Sequence, residues 1–414
     1  MMTTLISNIK QLVNVREESK LLRGKELAIL PSIENAYLII DDGVIVEFGA
    51  MKNLKPQTSN LKQTIDASGQ MILPCWCDSH THLVFAASRE EEFVDKIKGM
   101  SYAEIAEKGG GILNSARKLN EMNEDELFNV SWKRLGEVSK LGTGAIEIKS
   151  GYGLTVDGEL KMLRVIRKLK ERSSLMIRST FLGAHTYPLE YKENHQGYID
   201  LIINEMLPVI AKEKLADYID VFCETGFFSP GETETICKAG MKFGLKPRLH
   251  ANQLNFSGGV ETGIKLGAVS VDHLETVNEA IINKLAGSET IGTLLPTAAF
   301  FLRMPFQLAR QLIDAGCAVA LASDYNPGSS PSGNMNLVVA MSCIGMKMWP
   351  EEAINAATIN GAFAMELQNE AGSITAGKKA NLIFTRPIPS LAYLPYSFGS
   401  NLIDKVMING EIIN

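Results

Sequence analysis

The chain has 414 residues, of which 45% are hydrophobic and 21% charged, with a formal net charge of −6. That length allows one large domain with a smaller companion, and the composition is that of a soluble globular protein. The acidic balance supplies no basic field, which argues against nucleic acid or an anionic membrane as a partner.

No apolar run approaches the ~18 residues that span a bilayer. The opening "MMTTLISNIKQLVNVREESK" lacks the layout of a secretion signal. Six cysteines, spread from position 75 to 343, are too sparse for a disulfide-stapled scaffold. A cytoplasmic protein is the expectation.

In chain order, "YLIIDDGVIVEFG" (37–49) predicts two strands around an Asp-Gly turn. A first strand of a different kind is expected at 71–80, leading into "DSHTH". From about residue 143 short β-branched or apolar runs alternate with helical spacing. "TGAIEIKS" precedes a helix in which Asp157 is the expected N-cap and Leu160, Leu163, Ile166 and Leu169 recur every three residues. "SLMIRSTFLGAH", "YIDVFCETG", "KPRLHAN", "AVSVDHLE", "IGTLLPTAAF" and "CAVALASD" follow as strands, each leading into a helical segment. Near the end, "DKVMINGEII" (404–413) predicts a second hairpin around Asn-Gly.

Eight strand-then-helix units predict an α/β fold, a (β/α)8 TIM-like barrel. An open doubly wound sheet alternates in the same way, but no glycine-rich phosphate turn follows the first strand. The two hairpins lie outside the alternating region. If they pair, both termini build a small β-sandwich-like domain. The expected division is 1–65 and 366–414 for the small domain and 66–365 for the barrel.

The histidines carry the chemistry. They are His80, His82, His185, His195, His250 and His273, and all but His195 stand at or just past the carboxyl end of a predicted strand. In a barrel those ends face one mouth, where the βα loops build the active site. His80 and His82 are two apart, so on an extended strand both project to one face. His250 ends "KPRLHA", and Asp324 ends "ALASD", a strand otherwise small or apolar. Taken singly, each histidine also reads as structural, and Asp324 as an N-cap or turn residue. Three imidazoles and one carboxylate at one rim form the donor set of a catalytic zinc- or iron-type site. An ion there lowers the pKa of bound water toward ~7. His273, in "VDHLE", is placed to polarise water or stabilise an oxyanion, unless it is a hydrogen-bonded core histidine.

A rival arrangement is a compact knot of Cys75, Cys77, His80 and His82. Donors to one tetrahedral ion lie within roughly 4 Å of each other. On an extended strand Cys75 and His80 are ~17 Å apart and face opposite sides. The knot also leaves His250 and Asp324 unexplained, so the cysteines are expected to be inert.

"DSHTH", the "LH" at 249–250, the "DH" at 272–273 and the "SD" at 323–324 resemble the amidohydrolase superfamily in order and strand placement. "SREEEF", "EIKSGYGL", "AHTYP", "LHANQL" and "SDYNPGS" make the resemblance specific to the imidazolonepropionase family, from about residue 5 to the C-terminus. The resemblance implies hydrolytic opening of 4-imidazolone-5-propanoate to N-formimidoyl-L-glutamate in histidine degradation, with metal-activated water as nucleophile. It implies one zinc or iron ion per subunit on His80, His82, His250 and Asp324, and a homodimer. Asp324 would move the proton and His273 would stabilise the oxyanion. Arg89, Tyr152, His185, Gln253, Asn326, Gly328, Ser329 and Tyr102 would contact substrate or product, Arg89 as bidentate partner of the propionate.

Blander readings stand beside these roles. Arg89 can form a solvated salt bridge with Glu90–Glu92, and Tyr152, Asn326 and Gly328 sit in turn-forming sequences. Three positions depart from the family pattern or raise a question. Gln253 stands where some members carry Glu, so no base can act there. Cys75 replaces a glycine before the first histidines. Lys149 ends the second strand, but the lysine that bridges metals in two-metal relatives follows a later one, so a single ion is expected. The rival enzyme readings are another cyclic amidohydrolase or a guanine deaminase relative. A non-catalytic descendant would have lost a ligand, and none is missing.

Overall fold

The structure is a computed structural model and describes residues 3–55, 61–100, 104 and 110–413. The N-terminal part supplies five strands, β1 (Thr3–Val13), β2 (Ser32–Asp41), β3 (Val44–Ala50), β4 (Leu61–Asp66) and β5 (Met71–Pro74). β2 and β3 form the expected hairpin. Asp42 and Gly43 both take positive φ, 45° and 79°, the twist that a two-residue turn between antiparallel strands requires.

Eight strands then pair in parallel in chain order: β6 (Trp76–Asp78), β7 (Thr143–Lys149), β8 (Met176–Ala184), β9 (Tyr218–Cys223), β10 (Lys246–Ala251), β11 (Ser270–His273), β12 (Ile291–Leu294) and β13 (Val319–Leu321). Every strand of the alternating region expected from residue 143 to 324 belongs to this series. β7 and β9 are buried along their whole length, as parallel strands are when helices cover them outside and side chains fill the barrel inside.

The barrel closes where β6 and β13 extend past their assigned ends. A parallel bridge joins Thr81 to Tyr325. Asp324 N–H donates to the His80 carbonyl at 3.0 Å, and His82 N–H to the Tyr325 carbonyl at 2.9 Å. Below this seam the Asp78 carboxylate accepts from the Ser323 N–H and hydroxyl, at 2.9 and 2.5 Å. The closing seam therefore fixes the backbone of three of the four expected metal ligands.

β14 (Leu382–Thr385), β15 (Ile403–Ile408) and β16 (Glu411–Ile413) return to the terminal sheet, whose order is β16-β15-β14-β5-β1-β2-β3 with β4 on β1. The hairpins do not pair as strands; β14, β5 and β1 stand between them. The sheet instead curls until their turns meet across Ala380. Its N–H donates to the Gly43 carbonyl at 2.8 Å, and its carbonyl accepts from Gly410 N–H at 3.1 Å. The enclosed core, with Ile6, Ile9, Leu38, Ile72, Phe384 and Met407, is separate from that of the barrel.

Two local expectations change. The strand expected at 71–80 divides, because Cys75 N–H still donates to Asn381 in the terminal sheet while Trp76 N–H already donates to Gly142 in the barrel, both at 2.9 Å. The chain thus passes from the terminal sheet to the barrel strands at Cys75–Trp76. The helix Val156–Arg172 is capped by Thr155, whose side chain accepts from Gly158 N–H. Thr155 is extended and can cap, whereas Asp157 is already helical and adds only charge to the first turn.

Candidate active site

Burial first explains which groups can hold an ion. His80, His82 and His250 are each fully or almost fully buried, and that burial holds their pKa values well below the usual range, so the rings are neutral. His80 Nδ1 lies 2.6 Å from Asp272 Oδ2, and His250 Nδ1 2.9 Å from Asp220 Oδ2. A carboxylate can only accept, so both Nδ1 atoms carry the proton and both Nε2 atoms present lone pairs.

Those lone pairs converge. His80 Nε2 is 3.5 Å and His82 Nε2 3.6 Å from Asp324 Oδ1, and His82 Nε2 is 3.3 Å from His250 Nε2. His80 Nε2 has no hydrogen-bond partner and is buried. Acceptor atoms facing one another inside a protein are costly unless a cation lies between them. His80, His82 and His250 form one group able to hold a metal, and Asp324 joins His80 and His273 in a second that shares His80. Burial, with the Glu275 charge adding to it and His273 and Asn326 opposing it, raises the Asp324 carboxyl to about 7, a shift that a neighbouring cation would counter.

The layer beneath was not foreseen. Lys149 Nζ sits 2.9 Å from Asp220 Oδ2, 3.0 Å from Glu147 Oε1 and 3.7 Å from Asp272 Oδ2, all fully buried. Arg248 lies 3.4 Å from Asp272 Oδ2 and donates to the Ser79 and Ala364 carbonyls. Burial works against the Lys149 ammonium, but Asp220 and Glu147 outweigh it and raise its pKa. Burial likewise acts against the Asp272 carboxylate, and Arg248 and Lys149 more than offset it. Lys149 is thus an ammonium that holds the carboxylates behind the histidines. The sequence did carry a signal, a charge in the middle of each apolar run "AIEIK", "YIDVF" and "VSVDH", which inside a protein requires a partner.

His273 and Asp324 stand at φ 89° and 51°, where side chains other than glycine are strained. Burial opposes the His273 imidazolium, but Glu275, Asp324 and Asp272 outweigh it and raise its pKa. Glu275 Oε1, 3.4 Å from His273 Nδ1, also accepts from Gln307 Nε2 at 2.9 Å. Neither Glu275 nor Gln307 was singled out from the sequence.

These groups open into a cavity of ≈510 Å³ whose lining includes Arg89, Tyr152, His185, Gln253, Asn326, Gly328 and Ser329. His185 stacks on His82 at 5.3 Å, and its Nδ1 donates to the Gly151 carbonyl at 2.9 Å. Burial lowers its pKa to about 4, so the ring is neutral and Nε2 is an acceptor. Arg89 lies 5.7 Å over the Tyr152 ring, and its Nε donates to Ser115 Oγ at 2.8 Å. A Cβ at Gly328 would stand 2.4 Å from Arg89 Nη1, so glycine there is what lets the guanidinium reach the cavity.

Asn326 is also bonded within its own loop. Its Oδ1 accepts from Gly328 and Ser329 N–H, both at 2.8 Å, while Nδ2 donates to the Asp324 carbonyl and Ser329 Oγ, both at 2.7 Å. The side chain lines the cavity, but its hydrogen bonds build the loop. Tyr102 lies outside the described residues. His195 is exposed, stacked on Tyr187 at 3.7 Å and away from the site. All six cysteines are free, and the groups able to hold a metal among the described residues contain none of them. Cys75 packs against Gly144, where a Cβ would stand 2.5 Å from its own. This small neighbour accommodates the departure from glycine.

The amidohydrolase family model matches residues 230–413. The imidazolonepropionase of Flavobacterium johnsoniae is 59% identical over 100% of both chains, and that of Christiangramia forsetii 56% identical over 100% of both. The E. coli guanine deaminase structure has a TM-score of 0.77 at 13% identity, covering 100% of this chain and 99% of its own, a likeness that shows the fold alone. On the full-length identities, the chain belongs to the imidazolonepropionase family, within the amidohydrolases.

Proposed function

We propose that the chain opens the ring of 4-imidazolone-5-propanoate by hydrolysis to give N-formimidoyl-L-glutamate, the reaction its family membership indicates. Water adds to the ring carbonyl carbon, the C–N bond to the adjacent ring nitrogen breaks with its electron pair leaving on nitrogen, and a proton follows to that nitrogen. The observation that carries this reading is that one cavity joins a converging set of neutral imidazoles and a carboxylate to a guanidinium at its other side.

A zinc or iron ion on His80, His82, His250 and Asp324 supplies Lewis-acid polarisation and acidified water when bound. Asp324 divides its oxygens. Oδ1 faces His80 and His82, while Oδ2, 3.4 Å from Ser329 Oγ, takes the proton of the attacking water and passes it to the leaving nitrogen. His273, held beside Glu275, which favours its imidazolium, stabilises the negative charge that grows on the carbonyl oxygen. His185 Nε2 accepts from a ring N–H, and Tyr152 forms the wall between ring and tail. Gln253 donates to substrate or water. Arg89 takes the propionate through its Nη atoms, since Nε is engaged by Ser115. Gly328 and Ser329 shape the loop between Asp324 and Arg89.

The same reading carries a homodimer, from the family resemblance, and a cytoplasmic enzyme with neither nucleic acid nor membrane as partner. The charge of −6 supports this, as does the lack among the described residues of a helix long and apolar enough to cross a membrane. The test is incubation of purified protein with freshly generated 4-imidazolone-5-propanoate, with the product identified by mass. N-formimidoyl-L-glutamate is expected; no ring opening overturns the proposal.

A further inference from the structure

The cavity is lined by a second cation that the roles above leave unused. Lys96 lies on the helix Glu90–Ile97, seven residues beyond Arg89 at its N-cap. Seven residues are close to two helical turns, so both side chains leave the same face. Both line the cavity.

The Lys96 ammonium has no directly bonded partner among the described residues. It is half-buried, and among the described residues it makes neither a hydrogen bond nor an ion pair. Glu92, one turn back, is committed elsewhere, with Oε1 accepting from Gly111 N–H at 2.9 Å and facing Asn114 Nδ2 at 3.5 Å. Burial lowers the Lys96 pKa, Glu92 works the other way, and the nearby Arg89 charge adds to the burial. Arg89 Nη2 is also buried without a partner. Among the described residues, Asp324 is the one carboxylate in the cavity lining, and it belongs to the histidine cluster. Among the described residues, the helix side of the cavity therefore holds two cations and no anion bonded to them.

We propose that Lys96 is a specificity-determining residue that joins Arg89 in binding the carboxylate tail of the substrate. The inference rests on the proposed function and deepens it. An end-on guanidinium fills one lone pair on each carboxylate oxygen and leaves others for an ammonium. A neutral ring substrate would have to enter beside two uncompensated charges. The pair thus selects by repelling the wrong ligand as well as by holding the right one.

The experiment compares wild type with Lys96→Gln, Lys96→Arg and the exposed neighbour Lys98→Gln as control. Each is assayed with 4-imidazolone-5-propanoate and with a ring analogue that carries an ethyl group in place of the propionate. Lys96→Gln is expected to raise KM for the propionate substrate about tenfold, with kcat within about twofold. Its kcat/KM preference for the propionate substrate over the ethyl analogue falls by the same factor. Lys96→Arg restores most of the loss, and Lys98→Gln changes nothing. The helix buries none of its side chains, so the variants fold. Unchanged KM and preference in Lys96→Gln, with wild type active, overturns the role of Lys96 alone. A wild type that opens neither ring overturns the proposed function itself.

Discussion

At the base of the cavity, His80 and His250 are each held by a buried carboxylate, and those carboxylates by Lys149 and Arg248. At its outer side, Arg89 and Lys96 project from an eight-residue helix that buries none of its side chains. The base is fixed before anything binds. Its buried charges and strained φ angles cost free energy that the rest of the fold must supply, and ion binding repays part of it. Chemistry and selection are thus separable, and substitutions at the two places should fail in different ways.

The largest effect is expected at Asp324→Asn, with kcat lowered about 10³–10⁴-fold and bound metal lost. Elemental analysis beside steady-state kinetics checks both. Next, His273→Ala should lower kcat about 10²–10³-fold while metal content stays at the wild-type level. Turnover equal to wild type would remove its assigned role. Asp220→Asn and Asp272→Asn touch no substrate, yet each should weaken metal binding about 10–100-fold, measured by competition with a chromophoric chelator. An unchanged affinity would mean that the buried carboxylates do not orient the histidines. The smallest effect belongs to the outer side. Gly328→Ala, whose Cβ displaces Arg89, should raise KM about fivefold and leave kcat and metal content alone. A loss of kcat there would show that the two sides are coupled.

What the sequence disclosed follows the same division. Strand ends are legible because parallel strands are short apolar runs, so the residues at or just past those ends, His80, His82, His250, His273 and Asp324, could be placed at one mouth. The hairpin turns were legible from Asp42-Gly43 and Asn409-Gly410, which need positive φ. Partner identity was not legible. Asp220 and Asp272 could be recognised as buried charges, but only the barrel register shows that Lys149 stands between them. Asn326 was expected at the substrate from the family resemblance alone; it lines the cavity, and only the structure shows that its amide is also hydrogen-bonded within the loop. Lys96 was indistinguishable from any other helix lysine until the cavity placed it on the same face as Arg89.

The central claim is that the atoms gathered at the closing seam hold an ion that ring opening requires. Stripping the purified protein with a chelator and restoring zinc or iron in steps, while following 4-imidazolone-5-propanoate hydrolysis, tests it directly. Activity is expected to vanish on stripping and to return in proportion to bound metal, reaching its maximum at one ion per chain. Full hydrolysis by protein shown to contain no metal would contradict the account.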